Sequence, residues 1–141
     1  MQKKRKNNIM AHTGECLCGL VSYVVHGDFI RTRSCHCSRC RKAFGASGSA
    51  VAFIEYDSFS WKNGQDNLTL YQPKPDLGVL FCKSCGSKIC FEFKGRVAGI
   101  TLGSLKEDPQ IKLDEHIFTG SKASWDDIGG NVPQFDEHPP E

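Results

Sequence analysis

"SCHCSRCRK" (residues 34–42) puts three cysteines and a histidine into the six positions from Cys35 to Cys40, with Arg39, Arg41 and Lys42 beside them. A disulfide inside Cys-x-Cys is badly strained. Thiols this close therefore read as metal ligands. Cys35, Cys37 and Cys40 offer three thiolates, the donor set of a zinc that keeps its fourth position open. His36 lies between two cysteines that face one metal, so in an extended stretch its ring points the other way. That makes it a packing or hydrogen-bonding neighbour more readily than a fourth ligand. The remaining options are a structural site completed by His116, His12 or Cys90.

Working outward, the chain holds eight cysteines, and two further groups lie at Cys16-Leu17-Cys18 and at Cys82-Lys83-Ser84-Cys85. Cys82, Cys85 and Gly86 form a knuckle, in which a turn brings both sulfurs to one side and the glycine lets backbone amides approach them. A knuckle supplies two ligands, and a closed structural zinc needs four. Cys16 and Cys18, read as i and i+2 of an extended segment, share a face while Leu17 points away. Pairing them with Cys82 and Cys85 closes a four-cysteine site and makes metal binding part of folding. A redox reading of Cys82-x-x-Cys85 lacks the βαβ pattern that supports it. Cys90, alone in "KICFEF", reads as a small buried hydrophobe.

The chain of 141 residues is long enough to bury one core, and 39% hydrophobic with 24% charged residues is a globular composition. Its apolar stretches, such as "VSYVV" and "GVLF", are too short to span a membrane. No apolar stretch follows the basic opening "MQKKRKNNIM", which predicts no secretory leader and a cytoplasmic location with reduced thiols. The net charge is +2, yet near −2 without Lys3, Lys4, Arg5 and Lys6. This balance disfavours a nucleic-acid-binding surface, and "KKRK" reads as a solvated tail.

Strand signals dominate. "LVSYVV" (20–25), "GSAVAFI" (48–54), "LTLY" (68–71), "GVLFC" (78–82), "KICFEF" (88–93) and "VAGITLG" (97–103) are short, β-branched or aromatic, and mostly bounded by Gly, Pro, Asn or Asp. "WKNGQDN" (61–67) and "FKGRV" (93–97) read as turns, the second closing a hairpin. Two short helices are expected, at 38–45 and at 121–130, the latter capped by Ser121 or Ser124. The fold class is mainly antiparallel β with one or two short helices. The expected organisation is a basic disordered tail over 1–10, a single zinc-binding domain over 11–136 and a frayed tail over 137–141.

Cations surround the central cluster. A zinc with three thiolates is a net anion, so Arg39 and Arg41 can stabilise the sulfurs or attract an anionic ligand. Arg31 and Arg33 read as solvated.

Five ordered motifs carry a resemblance over about 14–135: "GECLCGLVSYVV", "CHCSRCRKAFGASGSA", "FCKSCGSKI", "GSLKEDP" and "HIFTGSKASWDDI". With them the chain resembles the glutathione-dependent formaldehyde-activating enzyme family, whose domain also occurs in centromere protein V. The resemblance implies an Mss4-like (β-tent) fold with two zincs per chain. A structural zinc would take Cys16, Cys18, Cys82 and Cys85, and a catalytic zinc Cys35, Cys37 and Cys40. Lys83 stands where a proline is common, away from the ligating sulfurs. The implied reaction is that of a carbon–sulfur lyase or synthase, joining glutathione, or another small thiol, to formaldehyde. Arg39, Arg41 and Lys42 would grip glutathione carboxylates, with Ser47 and Ser49 of the "FGASGSA" loop. His116, Lys122 and Trp125 would lie on the rim, unless Trp125 anchors the core or a lid and Lys122 is merely solvated. The centromere relative implies the alternative, a non-catalytic zinc module that binds protein or nucleic acid.

Overall fold

The structure, a computed structural model, describes residues 11–140. The basic tail expected over 1–10 lies outside the described residues. Among the described residues, a three-stranded sheet has the order β1-β2-β5, with β1 at Ala11–Glu15, β2 at Ser22–His26 and β5 at Phe59–Asn63. The larger sheet has seven strands: β3 (Arg31–Cys35), β4 (Ser49–Phe53), β6 (Leu68–Lys74), β7 (Leu77–Cys82), β8 (Lys88–Phe93), β9 (Arg96–Thr101) and β10 (Glu115–Ile117). Their order is β10-β3-β4-β9-β8-β7-β6, antiparallel throughout except that β10 runs parallel to β3. One α-helix, α1 (Ser38–Phe44), follows β3.

Alternation explains the core. Tyr23 and Val25 of β2 point inward and meet Ala52, Ile89, Cys90 and Ile100 from the larger sheet, all nearly inaccessible to solvent. Cys16 and Cys82 belong to the same cluster, so the first cysteine group is built into the core. The expected hairpin at 93–97 turns on Lys94 and Gly95, both with positive φ, the pattern of a tight two-residue hairpin.

Three readings of the sequence need correction here, and a fourth at the first cysteine group. Trp61 and Asn63 belong to β5, not to a turn; Phe59 and Trp61 alternate with exposed Ser60 and Lys62 and pack on Tyr23. The turn starts at Gly64, whose φ is +78°. Residues 121–130 form no α-helix. Lys122 and Asp126 close isolated turns onto Thr119 and Ala123, and the Lys122 ammonium takes the Asp126 carbonyl at 2.8 Å, diverting an acceptor a helix would need. Arg31 and Arg33 are not free in solvent. They share a face of β3 and both grip Glu115, fully buried on β10, Arg33 through a 2.9 Å bond from Nε.

The Arg31 guanidinium, with Arg33, holds the Glu115 carboxyl below its ordinary value of 4.5. A carboxylate depressed by folding contributes stability that is complete above the unfolded value and drains away as pH falls through the folded one. Glu115→Gln is therefore expected to cost roughly 3 kcal/mol at pH 7, the low end for a buried pair because Arg31 is half exposed. The penalty should shrink below pH 4, as chemical denaturation at stepped pH would show. A pH-independent penalty would mean the charge is not what matters.

Candidate metal centres and adjoining cavities

Two turns build the first centre. Cys16 and Cys18 do not lie in an extended segment. Residues 16–19 turn on Gly19 (φ +81°), whose amide bonds back to the Cys16 carbonyl, and Leu17 projects into solvent. Cys82 to Gly86 repeats the device, with Gly86 at φ +80° and its amide on the Cys82 carbonyl. A sulfur–glycine turn thus recurs, and the glycine after each group was the available signal. The four sulfurs lie within 4.8 Å of one another, with Cys16–Cys18 at 3.6 Å and Cys18–Cys82 at 3.8 Å. A tetrahedron with ~2.3 Å arms sets its sulfurs ~3.8 Å apart, so the donors present fit a zinc.

Donors surround these sulfurs. Val21 N–H reaches Cys16 Sγ at 3.3 Å, and Asn67 Nδ2 reaches Cys82 Sγ at 3.3 Å. Ser87 Oγ sits 3.2 Å from Cys85 Sγ and accepts the Leu17 amide, tying the two turns together. The Ser87 side chain, then its backbone, brings the Cys85 thiol down to about 5.

The second centre forms where β3 passes into α1. Cys35 ends the strand, Cys37 caps the helix and Cys40 lies in its first turn, its amide 3.4 Å from Cys37 Sγ. Their sulfurs lie within 4.8 Å of one another, and no other His, Cys, Asp or Glu among the described residues joins them. The Cys35 thiol, supported by Ser49, Cys37 and Arg39 and opposed by burial, lowers the Cys40 thiol to about 5. Three sulfurs this close, with the Arg39 cation beside Cys40, are a suitable donor set for a soft divalent metal.

His36 does not join the triad and instead meets β10. It is buried, and its Nε2 lies 2.9 Å from Nδ1 of His116 on β10. His116, half-buried on β10, thus touches the histidine that sits between two of the triad's cysteines. His12 stacks on Phe29 in the smaller sheet, and Cys90 is a buried thiol that burial pushes up. Neither joins the triad. Arg39 is exposed and lines a cavity that opens at Cys40, whereas Arg41 is committed to the carbonyls of His36 (3.4 Å) and Ser121 (3.2 Å). Lys42 is exposed on α1, Ser47 half-buried in the following loop and Ser49 buried behind Cys40. Trp125 is 71% exposed, so it anchors no core.

Gly48 and Lys88 went unnoticed in the sequence. A Cβ at Gly48 would fall 2.8 Å from the Cys35 carbonyl oxygen and 3.2 Å from His36 Nδ1. Gly48→Ala is expected to cost about 1–3 kcal/mol and to loosen metal at the second centre only. Differential scanning calorimetry with metal counting would check this; unchanged melting and metal content would show the loop yields freely. Lys88 donates to the Ala43 carbonyl at 2.7 Å and lies 4.9 Å from the Phe44 ring centre.

A mainly β fold that gathers seven cysteines into a tetrad and a triad defines a β domain with two clusters that could each hold a metal ion. The chain belongs to the glutathione-dependent formaldehyde-activating enzyme family, whose model matches residues 11–121. A crystal structure of a Rhodobacter sphaeroides protein is similar, at 29% identity and a TM-score of 0.53, covering 70% of this chain and 92% of that one. No curated protein matches. Among the described residues, no helix is long and apolar enough to cross a membrane.

Proposed function

We propose that the chain is a zinc-dependent carbon–sulfur lyase of this family, joining glutathione, or a similar small thiol, to formaldehyde as S-hydroxymethylglutathione. The observation that carries this reading is the convergence of Cys35, Cys37 and Cys40, of which Cys40 lines a cavity, with no fourth protein donor beside them among the described residues. Bound there, zinc supplies a positive centre that lowers the pKa of an approaching thiol. The sulfur–carbon bond forms as the carbonyl π pair moves to oxygen, which ends with the thiol's proton.

The chain's own residues prepare this. Ser49 and Arg39 favour the ionised Cys40 sulfur. Arg41 fixes α1 against the β3 exit and residue 121, so its part is to hold the triad's geometry. Arg39, Lys42 and Ser47 are the polar groups left around the triad to meet a substrate carboxylate. The tetrad of Cys16, Cys18, Cys82 and Cys85 holds the second zinc and serves the fold.

Calorimetric titration of the zinc-loaded protein with reduced glutathione tests the reading. Saturable binding that disappears in Cys40→Ser is expected. No heat at millimolar glutathione would remove glutathione as the substrate.

A further inference from the structure

Two cavities meet at Phe44 and Lys88, and their chemistry differs. The one that includes Cys40 measures 460 Å³, and its walls are largely apolar: Val51, Tyr71, Pro73, Val79 and Phe91, with Arg39 and Lys88 as its cations. No acidic residue lines it. The other, 760 Å³, carries both signs of charge, with Glu15 paired to Lys106 at 4.0 Å, Lys88, and the hydroxyls of Ser87 and Ser104 on its lining.

Formaldehyde has two non-hydrogen atoms and fills about twice a water's share of ~30 Å³, far less than the first cavity. That cavity is in the size range of sites that enclose whole small molecules. Glutathione does not suit it either, since the tripeptide's ammonium would find no carboxylate there. The mixed-charge cavity offers partners for both its ammonium and its carboxylates.

We propose that the cavity at Cys40 holds the body of an aromatic aldehyde bearing one carboxylate, while the thiol's charged body occupies the mixed-charge cavity beyond Phe44. The inference rests on the thiol–aldehyde reading above and extends its carbonyl substrate beyond formaldehyde. The aldehyde's ring packs on Val79, Tyr71 and Phe91. Its carboxylate takes Arg39 and the Lys88 donors not used by the Ala43 carbonyl. The chemistry is unchanged: the thiol sulfur bonds to the aldehyde carbon, the π pair goes to oxygen, and the thiol proton ends there as a hemithioacetal hydroxyl.

Zinc-loaded full-length protein with glutathione should convert 4-carboxybenzaldehyde, followed by loss of its conjugated carbonyl absorbance, in parallel with formaldehyde. Independently of turnover, the non-reacting 4-(hydroxymethyl)benzoate should bind calorimetrically. Val79→Phe, which fills the cavity, and Tyr71→Ala, at an exposed position, should each weaken that binding about tenfold. Lys88→Met should weaken it about tenfold while leaving benzyl alcohol binding unchanged. Turnover of formaldehyde without conversion of 4-carboxybenzaldehyde or binding of the probe would overturn this inference alone. Probe binding indifferent to Val79→Phe and Tyr71→Ala would overturn it too. Turnover of neither aldehyde would overturn the reading beneath it as well.

Discussion

Cys82→Ser is expected to release one of two zinc equivalents and to lower stability by roughly 5 kcal/mol or more, enough to abolish cooperative unfolding. Structural zinc contributes about 10–16 kcal/mol in small zinc-folded peptides, and a whole domain has only about 5–15 kcal/mol to lose. Cys82 is fully buried within the core cluster, so its centre cannot detach and leave the sheets intact. Metal counting by inductively coupled plasma and a circular dichroism melt would read both effects. A variant that keeps a sharp transition near the wild-type temperature would show that packing alone holds the two turns together.

Cys40→Ser should behave in the opposite way. It lies in the first turn of a seven-residue helix that buries none of its residues, so the sheets do not depend on it. The variant should keep its melting transition within a few degrees, lose the other zinc equivalent, and lose thiol–formaldehyde condensation by about a thousandfold or more. Carbon-13 NMR of labelled formaldehyde with glutathione would follow the adduct, at concentrations where the spontaneous reaction is slow. Global unfolding instead would make all seven clustered cysteines structural and leave no open centre. Cys82→Ser and Cys40→Ser together test whether one cluster serves the fold and the other the reaction.

The grouping of the seven thiols was legible because ligand spacing is local: a two- or three-residue step and a following glycine are visible in any sequence. Strands with β-branched or aromatic runs were legible for the same reason, since alternation is a property of neighbours. What escaped depends on pairing across distance. Nothing near Arg31 or Arg33 announces Glu115, 82 and more residues away, and nothing near His36 announces His116. β10 is three residues long, below the length at which a pattern can be read. Lys88 looked like an ordinary strand-opening lysine, and only its reach to Ala43 and Phe44 of α1 makes it a wall between cavities. The Cys16–Cys18 turn was misread as extended because Cys-x-Cys suits both geometries, and Gly19 was the clue that decided it.

The parallel pairing of β10 with β3 also sets the order in which the molecule can be completed. At about 5–20 residues per second, the ribosome delivers Glu115 roughly 4–16 s after Arg33. During that interval Cys35, Cys37 and Cys40 have neither the Glu115 clamp nor the His116 contact to shape the ground they stand on. Contacts so remote in sequence also close slowly in refolding, because the intervening chain must first give up its freedom. The surroundings of the thiol triad are thus finished by the last strand of the chain, long after the triad itself has been made.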